Sequence, residues 1–175
     1  MPITTRQSPE FKVGGPLLVP LLVGPDGPVR VVDSQKSRAF LQQSEFSDQR
    51  GCYIFSIANG QRVTPWYVGK AGTGFAREVF NDSNCKKYAE ALAIAKNGKP
   101  QIYFIILPNK RGKVNGTAID RLETFLVAEC GVVNPDIRNR RKSAIYVTVI
   151  AGVMNSGPGK PNATAASVRK LMGRQ

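Results

Sequence analysis

From residue 52 onward, short apolar runs alternate with amphipathic stretches in a definite order. "CYIFSI" (52–57) and "TPWYVGK" (64–70) are dense in β-branched and aromatic residues and flank Asn59-Gly60, so they read as two paired strands. The intervening "ANGQR" reads as a loop longer than a minimal hairpin, and "KAGTG" as the turn that follows. Composition is helical from about Phe75 to Lys96, with a break near "NDSN" (81–84) and with Tyr88, Leu92 and Ala95 at helical spacing. "NGKP" stops that helix, Gly98 lying near its C-cap and Pro100 beyond. "QIYFIILP" (101–108) is nearly continuous in apolar residues, the pattern of a buried strand. A polar loop leads to a helix over "TAIDRLETFLVAECG" (117–131), with Ile119, Leu122 and Leu126 on one stripe and Gly131 near its end. "AIYVTVIAG" (144–152) reads as a further strand, and the last residues as a loop and a terminal helix.

Upstream, the pattern gives extended "GPLLVPLLVG", a "PDGP" turn, a short strand "VRVVD" and a helix "SQKSRAFLQQS" capped by Asp33 or Ser34. The apolar run "PLLVPLLVG" (16–24) is too short to span a bilayer and is interrupted by Pro20, so it reads as core-facing extended chain and not as a signal core. The expected class is α/β (α+β), a small central sheet flanked by helices. The expected organisation is an N-terminal extension (1–49), a core (50–142) and a basic strand–helix extension (143–175).

Charge narrows the partner. The 175 residues carry 25 Lys and Arg against 12 Asp and Glu, a formal +13, which makes a polyanion the default partner. Residues 1–49 are neutral overall, whereas 137–175 hold eight basic groups and no acid, including "RNRRK" at 138–142. There is no histidine, and the three cysteines Cys52, Cys85 and Cys130 are scattered. Zinc fingers and histidine-metal nucleases are thereby excluded. Unpaired, dispersed thiols suit a reducing, cytoplasmic compartment.

Within this frame "GCY" (51–53), "YVG" (67–69), Arg77 ten residues after Tyr67, Glu123 on the later helix and an asparagine in "NPDIRN" stand in a fixed order. Either tripeptide alone means little, since a tyrosine beside a glycine in a strand is normally core packing and a turn. The ordered set, over roughly residues 50 to 140, resembles the GIY-YIG nuclease superfamily. The resemblance implies an endonuclease that hydrolyses phosphodiester bonds with one Mg²⁺ or Mn²⁺. Such chemistry needs an activated water, neutralised phosphate oxygens and help for the leaving oxygen.

On that resemblance Tyr53 is the base or the group that orients the water, Tyr67 bonds the scissile phosphate or the nucleophile, and Arg77 grips phosphate oxygens with its planar fork. Glu123 holds the metal. A tyrosine ionises near ~10, so a phenolate base needs a nearby cation, and Lys70 and Arg77 are the available ones. Asn139, at the end of "PDIRN", resembles the family's proline-then-asparagine ending better than Asn134, as a supporting hydrogen-bonding residue. Many members have a histidine one helical turn after the arginine; Asn81 stands there. "GKAGTG" lacks the GxxxxGK[ST] phosphate-loop pattern and reads as a turn.

Expected nucleic-acid contacts are Arg138, Arg140, Arg141, Lys142, Lys160, Arg169 and Lys170. DNA is preferred over RNA, no membrane partner is implied, and a homodimer is one way to cut both strands. Two other readings stay open: a nucleic-acid-binding module of the same fold without turnover, and a regulatory partner of a larger nuclease system.

Overall fold

A computed structural model describes residues 9–108, 114–139, 149–154 and 160–174. In chain order its elements are β1 (Glu10–Leu18), β2 (Leu21–Gly24), β3 (Gly27–Val32), α1 (Ser34–Gln43), β4 (Arg50–Asn59), β5 (Arg62–Ala71), α2 (Phe75–Glu78), α3 (Asp82–Ala95), β6 (Lys99–Leu107), α4 (Gly116–Val133), β7 (Val149–Ile150) and α5 (Ala163–Leu171). The main sheet runs β5-β4-β6-β1-β7, antiparallel except for the two-residue β7 beside β1. β2 and β3 form a separate hairpin. The fold is mixed α and β, as the pattern predicts.

Both faces of the sheet are covered, which is why its strands read as unbroken apolar runs. Cys52 and Ile54 of β4, with Tyr103 and Ile105 of β6, face a core built by α4 and α5. Tyr53, Phe55 and Ile57, with Ile102 and Phe104, face α1, α2, α3 and the β2–β3 hairpin. That second core is rich in rings: Phe55 stacks on Tyr88 at 4.2 Å between centroids, and Phe46 on Phe104 at 4.6 Å.

The β4–β5 turn is tighter than the sequence suggests. Asn59 pairs directly with Arg62, leaving a two-residue loop in which Gly60 takes φ 59°. The slack reappears inside β5, where the register slips between Phe55↔Tyr67 and Ser56↔Pro65. Trp66 is the extra residue, next to a proline that has no N–H to offer the ladder. This bulge sends both Trp66 and Tyr67 into the α3-side core. It also sets the rungs that matter below, Tyr53 opposite Gly69 and Cys52 opposite Lys70.

The break expected near 81–84 divides two helices: α2 ends at Glu78, and Asn81 caps α3 by accepting from the Asn84 N–H at 2.9 Å. Gly131 lies near the end of α4, which continues to Val133. The run "PLLVPLLVG" is only partly core: Val19 is buried, but Leu18 at the end of β1 is 62% exposed and Val23, on the narrow β2–β3 hairpin, is 74% exposed. Of the strand expected at 144–152, residues 144–148 lie outside the described residues and Val149–Ile150 pair with β1.

The N-terminal segment is part of the sheet and not an appendage. β1 pairs along β6, and the Phe75 and Ala76 amides that begin α2 donate to the carbonyls of Gln49 and Ser47, both at 3.0 Å. Arg38 of α1 donates to Phe80 O and to Asp82 Oδ1, each at 2.9 Å, holding the break between α2 and α3. At the other end of the chain, Ala165, Val168, Leu171 and Met172 of α5 enter the α4-side core.

The outer edge of β5 is closed by the segment that follows α4. Asn134 donates to Pro65 O at 2.8 Å, and the Arg138 N–H donates to Trp66 O at 2.8 Å. The Asn139 carboxamide pairs with Val68 as a strand residue would, accepting from its N–H at 3.2 Å and donating to its carbonyl. Asn139→Ala is expected to lower stability by about 1–2 kcal/mol, two part-buried amide bonds being lost. A denaturation midpoint equal to wild type would show that water replaces Asn139 without loss.

Candidate functional site

Tyr53 and Tyr67 sit on paired strands and face the α2–α3 side, both buried, with ring centroids 6.2 Å apart. Gly69 makes room for the first of them. A Cβ there would fall 2.8 Å from Cε1 of Tyr53 and nearer still to its Cζ and Oη. The glycine of "YVG" is thus a steric requirement of the tyrosine of "GCY".

The two hydroxyls meet on one carboxamide. Asn84 of α3 donates through Nδ2 to Tyr53 Oη at 2.7 Å, and its Oδ1 accepts from the Tyr67 hydroxyl at 3.1 Å. Lys87, one turn further along α3, donates to Tyr67 Oη at 3.3 Å and lies 4.7 Å from that ring's centroid. Burial, and next the neighbouring Tyr67, push the Tyr53 hydroxyl well above its ordinary pKa. Tyr53 is therefore a neutral hydroxyl at physiological pH. Of its two expected roles, burial opposes that of phenolate base.

Lys70 is not the cation for Tyr53. As the cross-strand partner of Cys52 it points to the α4 side, where its Nζ lies 2.7 Å from Asp120 Oδ1 and 3.7 Å from Glu123 Oε2. Glu123 is 6% exposed on the inner side of α4. Tyr53 and Lys70 thus belong to adjacent rungs of one ladder but face opposite sides of it, and the α4 carboxylates lie on the Lys70 side, where the sequence suggests a single face. Arg77 is exposed on α2, and among the described residues no side-chain hydrogen bond or ion pair holds it. Asn81, where a histidine is often found, is the α3 cap and also donates to Glu78 O at 3.0 Å.

The expected nucleic-acid contacts are dispersed. Arg138 is engaged with Glu90 at 2.5 Å, Arg169 is half-buried on α5, and Lys160 and Lys170 are exposed. Arg140, Arg141 and Lys142 lie outside the described residues. Sequence reasoning missed Asn84, Lys87 and Asp120. The available signal was spacing: Asn81, Asn84 and Lys87 recur every three residues, and so share a face on the helix that follows the break.

The buried thiols make the fold alkali-sensitive. Burial raises both Cys52 and Cys130, and Glu123 raises Cys52 further. Unfolded thiols ionise near ~8.5. The unfolded state therefore loses its protons first, so stability is complete below that pH and falls above it by about 1.4 kcal/mol per pH unit for each thiol. Tyr53 and Tyr88, also raised by burial, join above roughly pH 10. The melting temperature is expected to fall from about pH 8.5 upward; a constant value to pH 11 would contradict the assignment.

Among the described residues no helix is long and apolar enough to cross a membrane. No family model, curated protein or solved structure matches the chain.

Proposed function

We propose that this protein is a phosphodiester-hydrolysing nuclease of GIY-YIG type that acts on DNA. One observation carries the reading. Tyr53, Tyr67, Arg77 and Glu123 lie on first strand, second strand, following helix and later helix, in the order the resemblance requires, and the two tyrosine hydroxyls converge on one buried amide. The formal charge of +13 supplies the attraction for a polyanion.

A divalent ion would be held by Glu123, with Asp120 one turn away on α4 as a second hard oxygen donor. Lys70 Nζ, 2.7 Å from Asp120 Oδ1 and 3.7 Å from Glu123 Oε2, would have to give way to such an ion, whose shell water and phosphate oxygens would complete. Among the described residues no group of three metal-binding side chains exists, so the protein supplies few ligands. When bound, the ion polarises a phosphate oxygen or a water. The protein's own part is positional. Tyr53 orients a water or phosphate oxygen as a neutral hydroxyl, Lys87 lends charge beside Tyr67, and Arg77 is free to close on phosphate with two parallel bonds. Because the carboxylates lie behind the ladder, a substrate that engages both halves has to reach round the end of β5.

That separation of faces also favours a second reading, a binding module that keeps the fold without turnover. Labelled linear, branched and single-stranded DNA, incubated with Mg²⁺ or Mn²⁺, separate the two. Cleavage of any of them supports the nuclease. Salt-sensitive binding with no cleavage under either metal would leave the module, and no binding at low salt would remove both.

A further inference from the structure

Asn84 is 6% exposed, and every polar atom of its side chain is engaged. Its orientation is determined by chemistry. The atom 2.7 Å from Tyr53 Oη is also 2.7 Å from the Glu78 carbonyl, which can only accept, so that atom is the amide nitrogen. Tyr53 Oη must then accept from Asn84. On the other side Oδ1 can only accept, so Tyr67 donates to it, and Tyr67 Oη takes the Lys87 ammonium as its own donor. Each proton in the chain Lys87–Tyr67–Asn84–Tyr53 has one direction. The backbone of Asn84 is held in turn by the cap of α3, since Asn81 Oδ1 accepts from the Asn84 backbone N–H at 2.9 Å.

We infer that Asn84 is a positioning residue of this site and Lys87 its cation, and that together they make the two tyrosines inequivalent. Tyr67 has its proton committed to Asn84 and a lone pair to Lys87. Tyr53 has a lone pair committed to Asn84, while its own proton is not committed to Asn84 and faces the neighbouring Tyr67 and Tyr88 hydroxyls within the core. An amide that merely filled a polar gap in the core would not order both hydroxyls and bring a lysine to one of them. The catalytic consequence rests on the nuclease reading; the proton order does not.

Ring-labelled tyrosine and NMR detection of slowly exchanging hydroxyl protons test the order directly, with no substrate present. Tyr103, whose hydroxyl accepts from Gln101 Nε2 at 3.1 Å and whose ring lies in the α4-side core, is the internal reporter of folding. Asn84→Ala should shift or broaden the Tyr53 and Tyr67 resonances and leave that of Tyr103. Lys87→Met, a half-buried change, should move Tyr67 alone. Unmoved Tyr53 and Tyr67 signals in Asn84→Ala, or an unmoved Tyr67 in Lys87→Met, would overturn the inference. Loss of the Tyr103 signal in Asn84→Ala would make Asn84 a folding residue and overturn it equally.

In the cleavage assay, Asn84→Ala should lower kcat about tenfold or more, with KM and DNA affinity unchanged. A rise in KM at unchanged kcat would instead make Asn84 a binding residue. A wild-type protein that cleaves nothing would defeat the nuclease reading, while the resonances would still decide the proton order.

Discussion

Gly69→Ala is expected to cost about 3 kcal/mol, at the upper end for overpacking, and to abolish any activity. The reason lies in one rung of the β4–β5 ladder. Tyr53 lies across Gly69 with 1% of its surface exposed, between the rings of Tyr67 and Phe75, and has no alternative space. A methyl group at 69 must displace the Tyr53 ring, and that withdraws its hydroxyl from Asn84. Tyr53→Phe separates the two effects: it keeps the ring, loses one hydrogen bond, and should cost only about 1 kcal/mol. In a Tyr53→Ala background the Gly69→Ala change should cost almost nothing, because the clash has lost its partner. Denaturant titration of the four proteins measures this cycle, and additive costs would show that Gly69 matters for another reason.

The second large effect is on chemistry. Arg77→Ala and Glu123→Gln are each expected to reduce cleavage at least about 100-fold, the scale set by removing one charge-stabilising group from a phosphoryl or acyl site. Neither should disturb the fold. Arg77 is exposed, and Glu123→Gln keeps the shape of a side chain whose partner Lys70 is 46% exposed and also bonded to Asp120. Matched melting curves with lost cleavage support the assignment; normal cleavage by either variant would remove that residue from the site.

The order of elements from Arg50 to Val133 was legible because burial on both sheet faces leaves continuous apolar runs, and because Asn59-Gly60 marks a turn. Asn139 stands out in the sequence as a supporting hydrogen-bonding residue, but its pairing with the Val68 backbone at the edge of β5 was not legible. What the sequence hid are matters of register and partnership. A strand's own periodicity does not name its neighbour, so nothing in "EFKVGGPLL" announces that it joins β6. The bulge at Trp66 is invisible until the strands are paired, yet the resulting rungs decide that Lys70 faces α4 and not the tyrosines. Asn84 and Lys87 look like ordinary polar helix residues, because the hydroxyls they serve lie on two strands earlier in the chain.

Nicking of supercoiled plasmid with Mg²⁺ or Mn²⁺, by wild type beside Arg77→Ala, tests the central claim most directly. Metal-dependent conversion to open circles by wild type, lost in Arg77→Ala while both proteins bind DNA equally, is the expected result. Failure of wild type to nick under either metal, or equal nicking by the variant, would contradict it.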